Sequence, residues 1–246
     1  MSNFSNKAVL ANKTVLVSGA NRGIGAAVVR ELLKTDVKKI YAAARKTQNL
    51  PDFGDARVVA LPLDITDDAS VTAAAKTASD VDVLLNNAGT AVFANFLDSP
   101  TDLIEGDMNT NYYGTLRVIR AFTPQFVARG TGTIANVVSV VGLTSAPGLA
   151  GYSASKAALQ SLTQTLRVTL KASGITVLGI YPGPIDTDMA RDIPMDKATP
   201  EHAAEQIVKG IEAGDTYIFP DPVALQIGHL WEKDGRTLDT ALAGEH

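Results

Sequence analysis

The sequence predicts a doubly wound α/β fold: a mainly parallel seven-stranded sheet with helices on both faces. Three observations carry that reading. Short, nearly continuous apolar runs recur along the chain, as strands buried on both faces require. Stretches with helical spacing lie between them, and this alternation implies parallel βαβ units with right-handed crossovers. A glycine-rich turn, Gly19-Ala20-Asn21-Arg22-Gly23-Ile24-Gly25, falls between the first strand and the first helix. A length of 246 residues, with no repeat or dividing linker, suits one domain spanning 1–246.

The elements follow in order. Thr14–Ser18 (TVLVS) is a short apolar run that stops at Gly19, a buried strand. Residues 24–33 (IGAAVVRELL) have helical spacing. Residues 39–44 and 57–61 read as the second and third strands. Residues 67–78 read as a helix with Thr66 or Asp67 as N-cap. Residues 81–85 form the fourth strand, and 102–122 a long helix with Pro124 near its end. Residues 132–138 form the fifth strand, and 152–172 a central helix closed by Gly174. Residues 175–181 form the sixth strand, Pro200 opens a helix running to 212, and 217–219 form a short seventh strand. An amphipathic tail containing Trp231 completes the chain.

Composition excludes several function classes. The net charge is −4 and no Lys/Arg run stands out, which argues against nucleic acid or an anionic membrane as partner. Cysteine is absent, so disulfides, thiolate nucleophiles and Cys-ligated metals are excluded. His202, His229 and His246 are scattered and none has metal-ligand spacing, so no metal site is expected. Residues 1–12 lack the apolar run of a signal peptide, and no apolar stretch reaches membrane-spanning length. A cytoplasmic protein is expected.

The chemistry centres on Tyr152-Ser153-Ala154-Ser155-Lys156. Four residues apart on a helix, Tyr152 and Lys156 share one face. A free tyrosine, with a pKa of about 10, is a poor base at neutral pH. An ammonium roughly 5 Å away, at an effective dielectric of about 20, favours the phenolate by roughly 3 kcal/mol, or about 2 pKa units. A tyrosine shifted so far can give and take protons near neutral pH.

The glycine-rich turn supplies a second function. Its glycines allow a tight turn and let a pyrophosphate approach the backbone, while the helix start offers free N–H groups. Its spacing is GxxxGxG, not the commoner GxGxxG. A dinucleotide site selective for NAD places an acid after the second strand to hold the ribose 2′-OH. Here that strand ends Ala43-Ala44-Arg45-Lys46, and Arg22 lies inside the turn. Arg22 and Arg45 converging on the 2′ position suit a phosphate, hence NADP(H).

Six short motifs, in order, resemble the short-chain dehydrogenase/reductase family in its single-domain branch, a Rossmann-type fold. The likeness runs from about Lys13 to Met189. The turn matches TGxxxGxG with Ser18 for the usual Thr, and Asn86-Asn87-Ala88-Gly89 matches NNAG. Asn111, Ser139 and the pair Tyr152 and Lys156 match the family's catalytic set. Pro182-Gly183-Pro184-Ile185-Asp186-Thr187 matches PGxxxT.

The resemblance implies roles for these residues. Ser139 would hold the substrate carbonyl oxygen while Tyr152 protonates it. Lys156 would bind the nicotinamide ribose and lower the pKa of Tyr152, and Asn111, through a water, would relay protons to Lys156. Gly19, Asn21, Arg22, Gly23, Ile24 and Gly25 would hold the pyrophosphate, with Arg45 at the 2′ position. Asp64 and Ile65 would meet the adenine. Asn87, Ala88 and Gly89 would support the adenosine side, and Pro182, Gly183, Ile185 and Thr187 would complete the cofactor site beside Tyr152 and Lys156.

The implied activity is that of an NADP(H)-dependent carbonyl reductase or alcohol dehydrogenase. A 3-oxoacyl reductase of fatty-acid type and a non-catalytic NADP sensor are the alternatives. Relatives pair through their long fourth and fifth helices, and here Ala154, Ala157, Ala158 and Ser161 are small enough for close approach. A homodimer or homotetramer is expected. The end of the chain departs from the family's TG...DGG stretch, reading Asp215-Thr216-Tyr217-Ile218-Phe219-Pro220-Asp221-Pro222, which leaves both assemblies open. Three loops should wall the substrate site with apolar groups: Thr90, Val92, Phe93; Val140, Val141, Leu143; and Met189, Ile193, Met195. Arg191, Asp192 and Lys197 should face solvent. A neutral hydrophobic ketone or secondary alcohol, such as an aryl or cyclic ketone, fits such walls.

Overall fold

The computed structural model describes residues 10–235 and 238. The expectations about most of residues 1–12 and about His246 lie outside the described residues. Seven strands form one sheet: β1 (Thr14–Ser18), β2 (Lys39–Ala44), β3 (Val58–Pro62), β4 (Val83–Asn86), β5 (Gly132–Val137), β6 (Ile175–Ile180) and β7 (Tyr217–Ile218). Their order is β3-β2-β1-β4-β5-β6-β7. Every pairing is parallel, so the sheet is wholly rather than mainly parallel. After β3 the chain returns to pair β4 with the other side of β1. The order therefore reverses between β1 and β4, and the crevice for a ligand opens beyond their C-terminal ends.

Alternation along β1 sorts the core. Val15 and Val17 point to one face, where α1 (Gly23–Leu32) and α6 (Pro200–Ala213) bring Val28, Val29, Leu32, Ile207 and Ile211. Leu16 points to the other, where α2 (Asp68–Thr77) supplies Val71 and Ala74. α4 (Thr115–Arg129) adds Val118, Ile119, Phe122 and Phe126 on that face. The central helix α5 (Ala150–Thr169) packs there too, through Leu162 and Leu166. Both faces are covered, which is why the strands read as unbroken apolar runs. No helix among the described residues is long and apolar enough to cross a membrane.

Four local features refine or depart from the sequence reading. Asp67, not Thr66, caps α2, its carboxylate accepting from Ala69 N at 2.8 Å. The long helix is three pieces: α3 (Thr101–Asp107), a π-helical segment (Met108–Gly114), then α4. α4 runs past Pro124 to Arg129 and ends at Gly130 with φ +67°. Burial of Phe126 holds that last turn, although Pro124 removes one backbone donor. Finally, the amphipathic tail forms α7 (Pro222–Lys233), capped by buried Asp221 and packed by Gly228 against Phe219.

Candidate active site

The glycine-rich turn has the shape an anion site needs. Gly19 has φ +68° and Gly23 φ +53°, a region side chains avoid. A Cβ on Gly25 would lie 2.3 Å from the Gly19 carbonyl oxygen, so only glycine fits. α1 starts there with no side-chain cap and no acid in its first turn, leaving its N–H groups for a phosphate. Ser18 braces the turn: its Oγ accepts from Asn87 N and Ala88 N, both at 3.0 Å, tying the end of β1 to that of β4. Asn87 Nδ2 donates to Ser18 O at 2.9 Å.

The turn opens into a cleft of about 1030 Å³. That volume lies at the upper end of the roughly 300–1,000 Å³ range of small-molecule sites, as a dinucleotide plus substrate would require. Gly19, Asn21, Arg22, Gly23, Ile24, Arg45, Asp64, Ile65, Asn87, Ala88 and Gly89 line it. So do Ser139, Tyr152, Lys156, Pro182, Gly183, Ile185 and Thr187. Gly25 and Asn111 stand behind its wall. The glycine cradle, the uncapped helix start and the cleft's length thus fit a phosphorylated dinucleotide.

Tyr152 and Lys156 share a face of α5, with Lys156 Nζ 5.5 Å from the Tyr152 ring centroid. Their electrostatics correct the expectation. Burial pushes the Tyr152 phenol up to about 12; the Ser139 hydroxyl opposes this and the Asp107 carboxylate adds to it. Lys156, 4% exposed, donates to Val137 O at 2.8 Å, and burial lowers it to about 8 while Asp107 raises it. The ammonium lies over the ring in an enclosed site, so in the free protein desolvation outweighs its attraction for a phenolate.

Ser139 follows β5 with φ +105° and ψ 153°, a strained conformation for a non-glycine residue. Its hydroxyl donates to Pro182 O at 3.1 Å and must turn away to meet a substrate. The side chain of Asn111 is heavily engaged. Its Oδ1 accepts from Thr90 N, and its Nδ2 donates to Thr90 O and Ser155 Oγ, all at 2.9 Å. One lone pair of Oδ1 is left to hold a water. Asn111 lies within the π-helical segment, a distortion frequent at functional sites.

The two expected cations both line the cleft, and each also has an acidic neighbour. Arg22 reaches Asp188, in the loop after β6, at 3.1 Å. Arg45 stays at the end of β2 near Asp64, whose carboxyl is held low chiefly by the Thr66 hydroxyl, with Arg45 contributing. In the substrate walls, Thr90, Phe93, Val140, Val141, Met189, Ile193 and Met195 line the cleft. Val92 and Leu143 do not: Val92 N is tied to Asp107 at 3.2 Å, and Leu143 packs with Val138 and Tyr181. Asp192, expected in solvent, is exposed yet lines the cleft, while Arg191 pairs with Asp188.

Several residues escaped the sequence reading. Val223 and Ile227 of α7 line the cleft, as do residues 144–147 and Leu149. Asp221 accepts from Gly183 N at 2.8 Å and from Ala224 N at 2.9 Å, joining the cofactor loop to α7. An aspartate before Pro222 is a cap signal; its bond to Gly183 had none.

Residues 13–198 match the short chain dehydrogenase family. The chain belongs to that family. An oxidoreductase, UcpA of Escherichia coli, is 33% identical over 230 residues, covering 90% of this chain and 86% of that protein. The ketoacyl reductase HetN of a Nostoc species is 29% identical over 226 residues, covering 85% and 79%. Among solved structures, a short chain dehydrogenase from Burkholderia cenocepacia in complex with NADP superposes with a TM-score of 0.89. It is 34% identical, with 95% of this chain and 98% of that one covered. This short-chain dehydrogenase thus shares its fold with a relative crystallised with NADP.

Proposed function

We propose that the protein is an NADP(H)-dependent carbonyl reductase or alcohol dehydrogenase. It passes hydride between the nicotinamide and a neutral hydrophobic ketone or secondary alcohol. The observation that carries this reading is the placement of Ser139, Tyr152 and Lys156 in one cleft with the glycine-rich turn. The cofactor supplies the hydride chemistry when bound. The turn and the start of α1 hold its pyrophosphate, and Arg45 its 2′-phosphate. Asp64 and Ile65 meet the adenine; Asn87, Ala88 and Gly89 form the floor; Pro182, Gly183, Ile185 and Thr187 close the nicotinamide end.

Tyr152 protonates the carbonyl oxygen in reduction and takes the proton back in oxidation. Ser139 turns its hydroxyl from Pro182 O to that oxygen. Lys156 holds the nicotinamide ribose, and its ammonium stabilises the phenolate that Tyr152 becomes. A water held by Asn111 would relay protons to Lys156. The small exposed residues Ala157 and Ser161 on α5 support assembly into a dimer or tetramer through that face.

A 3-oxoacyl reductase is the second reading, favoured by the likeness to HetN. An acidic acyl carrier would need a basic patch beside the cleft, and there Arg22 and Arg191 are already matched by the Asp188 carboxylate. Matched kcat/KM values for an aryl ketone, a keto acid, a sugar and a 3-oxoacyl thioester test the proposal. The aryl ketone should lead; an advantage for the acid or the sugar would refute the apolar-pocket argument. A lead for the thioester would establish the second reading. A lack of NADPH oxidation with every substrate would favour the sensor.

A further inference from the structure

Among the described residues, two acids are buried outside the reacting set; Asp221 caps α7, and Asp107 has no such role. Asp107, at the end of α3, is 1% exposed. Aspartate is almost never so buried unless its charge is compensated. Its Oδ1 accepts from Thr90 Oγ1 at 2.9 Å and its Oδ2 from Val92 N at 3.2 Å. Four residues on, Asn111 grips the same loop through both the N–H and the carbonyl of Thr90. The loop after β4, a wall of the cleft, is thus clamped by one stretch of helix. Gly89 threads between the two functional groups: a Cβ there would lie 2.8 Å from Asn111 Oδ1 and 3.7 Å from Lys156 Nζ.

We propose that Asp107 is a positioning residue with two tasks. It pins residues 90–92 beside the reacting atoms, and through Thr90 it places a buried carboxylate one residue from Gly89, against which Lys156 Nζ lies. Lys156 and Tyr152 on α5 are the ionisable groups that feel its charge; burial raises the Asp107 carboxyl, while the Thr90 hydroxyl, the Val92 N–H and the Lys156 ammonium oppose this and favour its charged form. On its own helix Asp102 and Glu105 are exposed. The carboxylate keeps the Lys156 ammonium charged against the cost of burial, and it keeps the Tyr152 proton in place until a substrate accepts it. This inference deepens the proposed function and rests on its assignment of Tyr152.

Asp107→Asn keeps the shape and removes the charge. Both Tyr152 and Lys156 then lose an anionic neighbour, so both titrate at lower pH. The pH profile of kcat/KM should move to lower pH by about half a unit or more in each direction of reaction. Asp107→Ser, which leaves room for a water, should move it the same way, whereas Asp107→Glu should leave it in place even at reduced kcat. Superimposable profiles for wild type, D107N and D107S would overturn the proposal, as would an equal shift in D107E.

A readout without turnover separates this inference from the function itself. With ¹³C-labelled tyrosine, the Tyr152 resonance should titrate lower in D107N than in wild type. An unchanged titration overturns the Asp107 assignment whatever the activity, and a shifted one upholds it even if no ketone is reduced. Should no variant fold, ¹³C-carboxyl NMR of aspartate-labelled wild type decides: the Asp107 carboxyl should be ionised at neutral pH, and a protonated one refutes the charge role.

Discussion

Arg22 spans the mouth of the cleft to Asp188, guanidinium to carboxylate at 3.1 Å, with the two side chains 65% and 53% exposed. The contact joins the glycine-rich turn to the loop after β6, where Thr187 already packs so close that a Cβ on Gly23 would lie 3.2 Å from its Cγ2. An exposed pair of this kind stabilises by only about 0–1 kcal/mol, so a phosphate can compete for Arg22.

Cofactor choice therefore rests first on Arg45, with Arg22 shared between a phosphate and Asp188. NADPH should be preferred to NADH in wild type, and Arg45→Asp should shrink or reverse that preference. Arg22→Ala should change it less, since that arginine is already shared with Asp188. Steady-state kcat/KM for both cofactors measures this; equal values in wild type would end the phosphate-clamp reading.

Tyr152→Phe deletes the proton donor at nearly constant volume. Activity should fall by at least about a hundredfold, the lower range for general acid catalysis, while NADPH still binds. The free protein should also show no tyrosinate titration assignable to Tyr152 between about pH 8 and 10, where an unperturbed tyrosine begins to ionise. The sign follows from burial, which raises the phenol to about 12 and so retains its proton. Difference absorbance against Tyr152→Phe reads it directly. A tyrosine that titrates near neutrality and vanishes in the variant would reinstate the lysine-dominated account.

Gly25→Ala places a methyl 2.3 Å from the Gly19 carbonyl oxygen and 2.6 Å from Asn87 Nδ2. Neither neighbour is free to retreat, because Asn87 anchors β4 to β1. The expected result is loss of NADPH binding with a stability cost of about 1–3 kcal/mol, typical of overpacking. Isothermal titration and thermal melts check it, and an unchanged cofactor affinity would show that the turn does not approach the ligand.

Assembly offers a test of the surface. Ala157 and Ser161 are exposed on α5, with Val168 79% and Tyr113 50% exposed nearby in sequence and on the preceding helical run. A self-complementary face of this kind suits a two-fold interface. Light scattering at micromolar concentration should give at least twice the 25.8 kDa chain mass; a value equal to that mass would remove the proposal.

The sequence by itself determined the succession of strands and helices along the chain, the glycine-rich turn and the spacing of Tyr152 and Lys156. These are local properties: apolar runs stop at turn residues, glycine permits positive φ, and i, i+4 residues share a helix face. The capping aspartates, Asp67 and Asp221, were legible as residue types, although only geometry chose Asp67 over Thr66.

The tertiary structure decided everything that depends on what surrounds a side chain. A count of positions places an ammonium near Tyr152, but not the desolvation that outweighs it, nor the Asp107 carboxylate brought in from another helix. Asn111 matched a motif, yet its amide is engaged by Thr90 and Ser155, one of them 44 positions away. Arg22 lay in a phosphate turn, yet it pairs with a residue 166 positions further on. Val223 and Ile227 reached the cleft only because α7 folds back over the end of β6, guided by the bond from Gly183 N to Asp221. Burial, charge and long-range contact belong to the folded arrangement, and spacing along one chain does not encode them one residue at a time.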